Sequence, residues 1–106
     1  MKLIIVSGLS GSGKSVTLDT LEDAGFYCTD NLPVALLQGF SHLLSQSTKP
    51  IFKRVAVGID ARNDPHALQQ FAATIEQLRA DNIDYEVVFL RANKESLLKR
   101  FSETRR

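Results

Sequence analysis

The chain has 106 residues, 43% of them hydrophobic and 24% charged, with a formal net charge of +1. That is one domain's worth of ordinary globular sequence, and it excludes wholesale disorder, a collagen-like repeat and a disulfide scaffold. The single cysteine, Cys28, has no internal partner, which suits a reducing compartment. No uninterrupted apolar run exceeds four residues, far short of a bilayer span. Leu3-Ile4-Ile5-Val6 gives way to a Gly/Ser-rich stretch where a signal peptide would stay apolar, so no membrane is expected and the expected location is cytoplasmic. Charge is unevenly spread: residues 91–106 carry six basic and two acidic side chains, leaving −3 on residues 1–90. Such a basic run is either a solvated helix face or a cluster that meets phosphate.

In chain order, Leu3 to Ser7 reads as a buried strand ending at Gly8. Helical sequence follows from about Gly13 to Ala24, with Gly25 placed to end it. Phe26-Tyr27-Cys28-Thr29 is a short β-prone piece that ends at Asp30. Pro33 suits the first turn of a second helix, because its missing N–H would be unpaired there anyway. Val34, Leu37, Phe40 and Leu44 then recur at helical spacing. Lys49-Pro50 breaks the pattern, and Val55, Val57 and Ile59 alternate in a strand leading to Asp60. Asp64-Pro65 reads as the cap and first residue of a third helix, with Leu68, Phe71, Ile75 and Leu78 on its inner face. Tyr85 to Leu90 is a further strand. Asn93 caps a last helix that turns Leu97, Leu98 and Phe101 inward and its basic side chains outward.

Strands alternating with helices predict an α/β fold, a parallel sheet with helices on both faces. Right-handed crossovers then collect the strand C-termini on one edge. Gly8, Asp30, Asp60 and Asn93 fall there, and the functional site is expected among them.

Gly8-Leu9-Ser10-Gly11-Ser12-Gly13-Lys14-Ser15 matches the phosphate-loop (Walker A) pattern G-x-x-x-x-G-K-[ST] at every fixed position, with a strand before it and a helix after. Glycines allow backbone dihedrals that let successive N–H groups curl around an anion. The helix that starts there adds its unpaired N–H groups and the positive end of its dipole. Lys14 would place its ammonium on the β- and γ-phosphates, and the Ser15 hydroxyl would bind Mg²⁺. An apolar strand ending in Asp60 supplies the acid expected to hold the metal's hydration shell, the alternative being a capped turn. Asp60-Ala61-Arg62-Asn63 as a unit could also contact nucleotide. Asp30, in Asp30-Asn31-Leu32-Pro33, is placed to orient or deprotonate an acceptor hydroxyl or a water, or simply to cap the following helix. Arg100, Arg105 and Arg106 are either a lid over the phosphates or surface charge.

Asn93-Lys94-Glu95-Ser96 departs from the guanine-reading N-K-x-D pattern at Ser96, and no D-x-x-G follows Asp60, which argues against a Ras-like GTPase. His42 and His66 lack metal-ligand spacing and read as ordinary helix residues.

With these residues in hand, the chain resembles the N-terminal nucleotide-binding domain of the RapZ/YvcJ family, the RNase adapter proteins. The resemblance rests on residues 7–15, on Leu21-Glu22-Asp23-Ala24-Gly25-Phe26-Tyr27-Cys28-Thr29-Asp30-Asn31-Leu32-Pro33, on Ile59-Asp60-Ala61-Arg62-Asn63 and on Ser102-Glu103-Thr104-Arg105-Arg106. The phosphate loop is shared by a vast superfamily, whereas Gly-Phe-Tyr-Cys-x-Asp-Asn-Leu-Pro is much more specific. Ser45 to Lys53 fits the pattern least well. The resemblance implies a P-loop NTPase domain of kinase-like type, ATP binding through residues 8–15 and a GTP contact through Asp60 to Asn63. It also implies that small regulatory RNA and a ribonuclease, in the control of amino-sugar synthesis, meet a C-terminal domain outside these 106 residues.

The function expected is an ATP- or GTP-binding, weakly hydrolysing regulatory domain that uses Mg²⁺, with Lys14, Asp30 and Asp60 in catalytic positions. The alternatives are a small-molecule kinase with Asp30 near the acceptor and an arginine lid, and a module that binds the RNA backbone. Residues 1–106 are expected to be an incomplete N-terminal domain cut at its C-terminal side, with an apolar sheet edge exposed and oligomerisation open to the full-length protein.

Overall fold

The computed structural model describes residues 1–8, 13–60 and 65–90. Strands β1 (Lys2–Gly8), β2 (Tyr27–Thr29), β3 (Arg54–Asp60) and β4 (Asp84–Phe89) alternate with helices α1 (Lys14–Asp23), α2 (Val34–Ser45) and α3 (Pro65–Ala80). The strands form one parallel sheet in the order β2-β3-β1-β4. After β1 the chain passes over β3 to reach β2, and after β3 it passes over β1 to reach β4. The chain therefore changes direction between the adjacent strands β1 and β3, whose last residues, Gly8 and Asp60, are register partners. In open α/β sheets the crevice at such a reversal, beyond the carboxyl ends of the strands, is where ligands bind.

Because side chains alternate along a strand, β1 and β3 feed two cores. Leu3, Ile5, Val55, Val57 and Ile59 face Leu37 and Leu44 of α2 and Leu78 of α3, joined by Ile83 and Val87. Val6 and Ala56 face the other way, onto Leu18 of α1, with Leu21, Phe26 and Cys28 alongside. Burial on both faces explains why these strands are nearly continuous apolar runs. It also bears out the α/β parallel sheet with helices on both faces expected from the alternation, and this architecture is consistent with the P-loop NTPase type that the motif and the resemblance implied. The break at Lys49-Pro50 is a 3-10 turn, Pro50–Phe52, and Phe52 meets Tyr27 edge-on at 5.1 Å between ring centroids. Among the described residues, no helix is long and apolar enough to cross a membrane.

Two details differ from the sequence reading. Pro33 is not in the first turn of α2 but caps it in an extended conformation, with φ −63° and ψ 141°. Leu68 is not on the inner face of α3: it is 55% exposed. Counting back from the buried Leu78 with a true helical period gives Thr74, Phe71 and Ala67, so Leu68 drifts off the inner stripe. Thr74 takes the buried position and donates its hydroxyl to the Gln70 carbonyl at 2.9 Å. The capping residue expected at Asp64 and the last helix from Asn93, with Leu97, Leu98 and Phe101, lie outside the described residues.

Two helices end in the same way. Gly25 N–H bonds to the Glu22 carbonyl and Phe26 N–H to the Leu21 carbonyl, both at 3.0 Å. Gly25 adopts φ 98°, the left-handed turn that closes a helix and satisfies its last carbonyls. At the end of α3, Asn82 (φ 59°) plays this part, with Ile83 N–H on the Leu78 carbonyl at 3.1 Å. Gly25→Ala is expected to cost about 1–2 kcal/mol in urea unfolding, the penalty of a Cβ in this conformation. Its methyl would also lie 2.6 Å from Nη2 of Arg54, whose guanidinium sits 5.7 Å from the Phe26 ring centroid. Asn82→Gly should leave stability unchanged or slightly raised.

Cys28 lies under α1 and donates its thiol to the Leu18 carbonyl at 3.3 Å. Burial first, then the Glu22 and Asp19 carboxylates, push the thiol's pKa up. The folded chain thus keeps a proton that the unfolded chain gives up, so this group's contribution to stability is lost as pH rises past the ordinary thiol range. Iodoacetamide at pH 8 should label Cys28 more slowly in the folded protein than in urea, with the gap narrowing as the pH is raised.

Candidate functional site

The sequence Gly13-Lys14 starts α1 directly above the reversal between β1 and β3. Gly13 caps the helix in a left-handed conformation, φ 94°, and its carbonyl accepts the Thr17 N–H at 2.9 Å and the Thr17 hydroxyl at 3.0 Å. Lys14 is the first residue of α1 and only 6% exposed. A lysine buried to that degree needs anionic company, and the ends of β2 and β3 provide it. Lys14 Nζ lies 3.2 Å from Asp30 Oδ1 and 3.2 Å from Asp60 Oδ1.

Each carboxylate arrives on its own element. Asp60 is the last residue of β3, level with Gly8. Asp30 follows β2, and its Oδ1 also accepts the backbone N–H of Asn31 at 2.7 Å. Asn31 tolerates φ 58° because its short polar side chain suits the left-handed region. The next residue, Leu32, then donates its N–H to the Gly58 carbonyl at 3.0 Å, which ties the loop after β2 to β3. The ammonium is buried while the two carboxylate side chains remain 34% and 47% exposed. The cluster therefore combines a desolvated cation with anions open to solvent on one side, and carries a formal charge of −1.

Three of the residues read from the sequence, Lys14, Asp30 and Asp60, are thus brought together, and Gly8 and Gly13 flank them. Ser15, next to Lys14 in the first turn of α1, is exposed. The Ser15 hydroxyl and an Asp60 carboxylate oxygen are hard oxygen donors of the kind that suits Mg²⁺, which keeps most of its own waters. Among the described residues, no group of three or more His, Cys, Asp or Glu side chains is placed to hold a metal by itself. Leu9, Ser10, Gly11 and Ser12 of the loop, Ala61, Arg62 and Asn63 after β3, and Arg100, Arg105 and Arg106 lie outside the described residues. His42 is far from this edge, with Nδ1 4.0 Å from Asp81. Asp81 also accepts from Gln38 Nε2 at 3.0 Å.

Two contributors were missed by sequence reasoning. Asn31 reads as an ordinary turn residue, and only the fold shows its N–H fixing Asp30. Gly58 lies inside a strand, and that alone was a signal: an interior strand glycine often marks a close approach of another group. Beside Asp60, on the α3 side, a cavity of about 370 Å³ opens between Asn31–Val34 and Ala67 and Gln70.

The sequence model of the RapZ-like N-terminal domain matches residues 1–106. The chain belongs to this family. It is 54% identical over 106 residues to a nucleotide-binding protein of Halorhodospira halophila, 55% to one of Vibrio parahaemolyticus and 56% to one of Pseudomonas putida strain GB-1. All of the chain aligns in each case, and it spans 37%, 35% and 37% of those proteins. It is also similar to the crystal structure of APE1195, with a TM-score of 0.53 and 14% identity over 92% of this chain and 64% of that one. That likeness concerns the fold alone. Membership of the RapZ-like family agrees with the resemblance carried by the stretch from Leu21 to Pro33, part of which, from Tyr27 to Pro33, forms β2 and the loop that delivers Asp30.

Proposed function

We infer that this domain binds a nucleoside triphosphate, with the loop from Gly8 to Ser15 around the phosphates and Lys14 as their principal cation. The observation that carries this reading is the Lys14 ammonium, buried at the start of α1 at the point where the sheet order reverses. There the helix N-terminus and a fixed positive charge converge on one spot, the arrangement that phosphate recognition requires. The relatives named nucleotide-binding proteins support the same class of ligand. ATP and GTP are both candidates, the latter through Asp60, Ala61, Arg62 and Asn63.

Bound Mg²⁺, held by Ser15 and by Asp60 through its waters, would neutralise charge on the phosphate oxygens. The chain's own residues orient and shield. Lys14 would leave its carboxylates to meet phosphate, Asp60 would hold the metal's hydration shell, and Asp30 would accept a hydrogen bond from a water or hydroxyl approaching the terminal phosphate. No further base is needed for slow hydrolysis, which suits a cytoplasmic regulatory domain whose nucleotide state is passed to the rest of a longer protein. Small regulatory RNA and a ribonuclease would be partners of that remaining part. A second reading, a small-molecule kinase, draws on the cavity beside Asp60, which is large enough for a small acceptor. The two separate by whether phosphate transfer requires an acceptor.

Lys14→Ala should leave the circular dichroism spectrum unchanged and weaken binding of labelled ATP or GTP by about tenfold or more, the value of a charge-assisted phosphate contact. Equal affinity in the two proteins would overturn the assignment.

A further inference from the structure

On the α1 face of the sheet, β3 presents Ala56, Gly58 and Asp60 in turn, and the first two carry little or no side chain. In the parallel register Thr29 lies beside Val57, so Asp30 comes level with Gly58. A Cβ built on Gly58 would land on Asp30 Oδ1, and would also lie 2.9 Å from Leu18 Cδ1. The same Asp30 Oδ1 is 3.2 Å from Lys14 Nζ and accepts the Asn31 N–H at 2.7 Å. The carboxylate therefore occupies the space that a side chain at position 58 would fill. Any retreat disturbs the ion pair, the bond that shapes its own loop, or both.

We propose that Gly58 is a positioning residue for the nucleotide site: its missing side chain is what lets Asp30 lie across β3 and share the Lys14 ammonium with Asp60. The consequence for binding rests on the triphosphate reading above. The ammonium is committed to two carboxylates, and phosphate must draw it away while Asp30 repels the incoming anion. Gly58 thus sets, through Asp30, how tightly metal-free triphosphate binds. A purely structural role would be to let Leu18 and α1 approach the sheet, and the two roles predict different outcomes.

The test compares the wild type with Asp30→Ala, Gly58→Ala, the double variant, and Gly58→Ala carrying Leu18→Val, which removes the Cδ1 atom that the new methyl would meet, each checked for folding by circular dichroism. The first readout needs no nucleotide: the ¹H–¹⁵Nζ ammonium signal of Lys14, assigned by its loss in Lys14→Ala. It should be shifted or lost alike in Asp30→Ala and Gly58→Ala, remain so with Leu18→Val, and change no further in the double variant. The second readout is ATP titration in EDTA. Asp30→Ala and Gly58→Ala should each tighten binding by about fivefold, the release of one partly exposed ion pair. The double variant should match Asp30→Ala rather than the product of both. A wild-type ammonium signal in Gly58→Ala, its recovery with Leu18→Val, or affinity effects that multiply would overturn the proposal. If the wild type itself binds no ATP or GTP, the triphosphate reading fails, and the ammonium signal still decides the positioning claim.

Discussion

A lysine ammonium held out of water between two carboxylates is the interaction around which the described structure is arranged. Taking a charge out of solvent costs several kcal/mol unless it is paired, and Lys14 sits at the start of a helix, where the dipole adds unfavourably to its own charge. Asp30 and Asp60, each 3.2 Å away, offset both costs. Neither carboxylate is near Lys14 in sequence. The site therefore exists only when β1, β2 and β3 are paired in the observed register and α1 lies on its face of the sheet. Folding and the assembly of the site are one event.

The same arrangement accounts for much of the local chemistry. A glycine at position 13 allows the backbone to turn into α1 at φ 94°, and a glycine at 58 keeps the surface of β3 low where Asp30 crosses it. Asn31 takes a left-handed conformation so that its N–H bonds the carboxylate and the next N–H returns to β3. The apolar cores on the two sides of the sheet supply the rigidity. Leu18 is shared between the jobs, since it packs in the core and borders Gly58 beneath the site.

A buried cation with partly exposed anionic partners is also suited to exchange. Solvent reaches the carboxylates, so a ligand anion can approach and a hydrated metal can take up the carboxylate charge without the core being opened. The Lys14 side chain is long enough to change partners while its backbone stays in the first turn of α1. Full burial of both charges would instead lock the geometry of such a pair.

How much of this was legible depended on the range of the interactions. Among the described residues, strands and helices appeared in their places because burial on one or two faces writes a period of 2.0 or 3.6 into the residues themselves. Leu68 was misplaced because a pattern read one turn at a time accumulates error over a long helix, and Pro33 because its fixed φ suits the cap as well as the first turn. The phosphate-loop pattern and the strand-end acids were visible as residue types, since glycine, lysine and aspartate carry their chemistry with them. Their convergence was not. Whether Asp30 touched Lys14 or capped a turn turned on the parallel register of β2 on β3 and on empty space above Gly58, and a sequence does not record which atoms from distant segments share a volume. Composition, periodicity and motif thus determined by themselves the α/β class, the single cysteine and the kind of ligand to look for. The tertiary structure alone decided that one ammonium is shared by two carboxylates from different strands, because close packing, unlike periodicity, is a property of three dimensions.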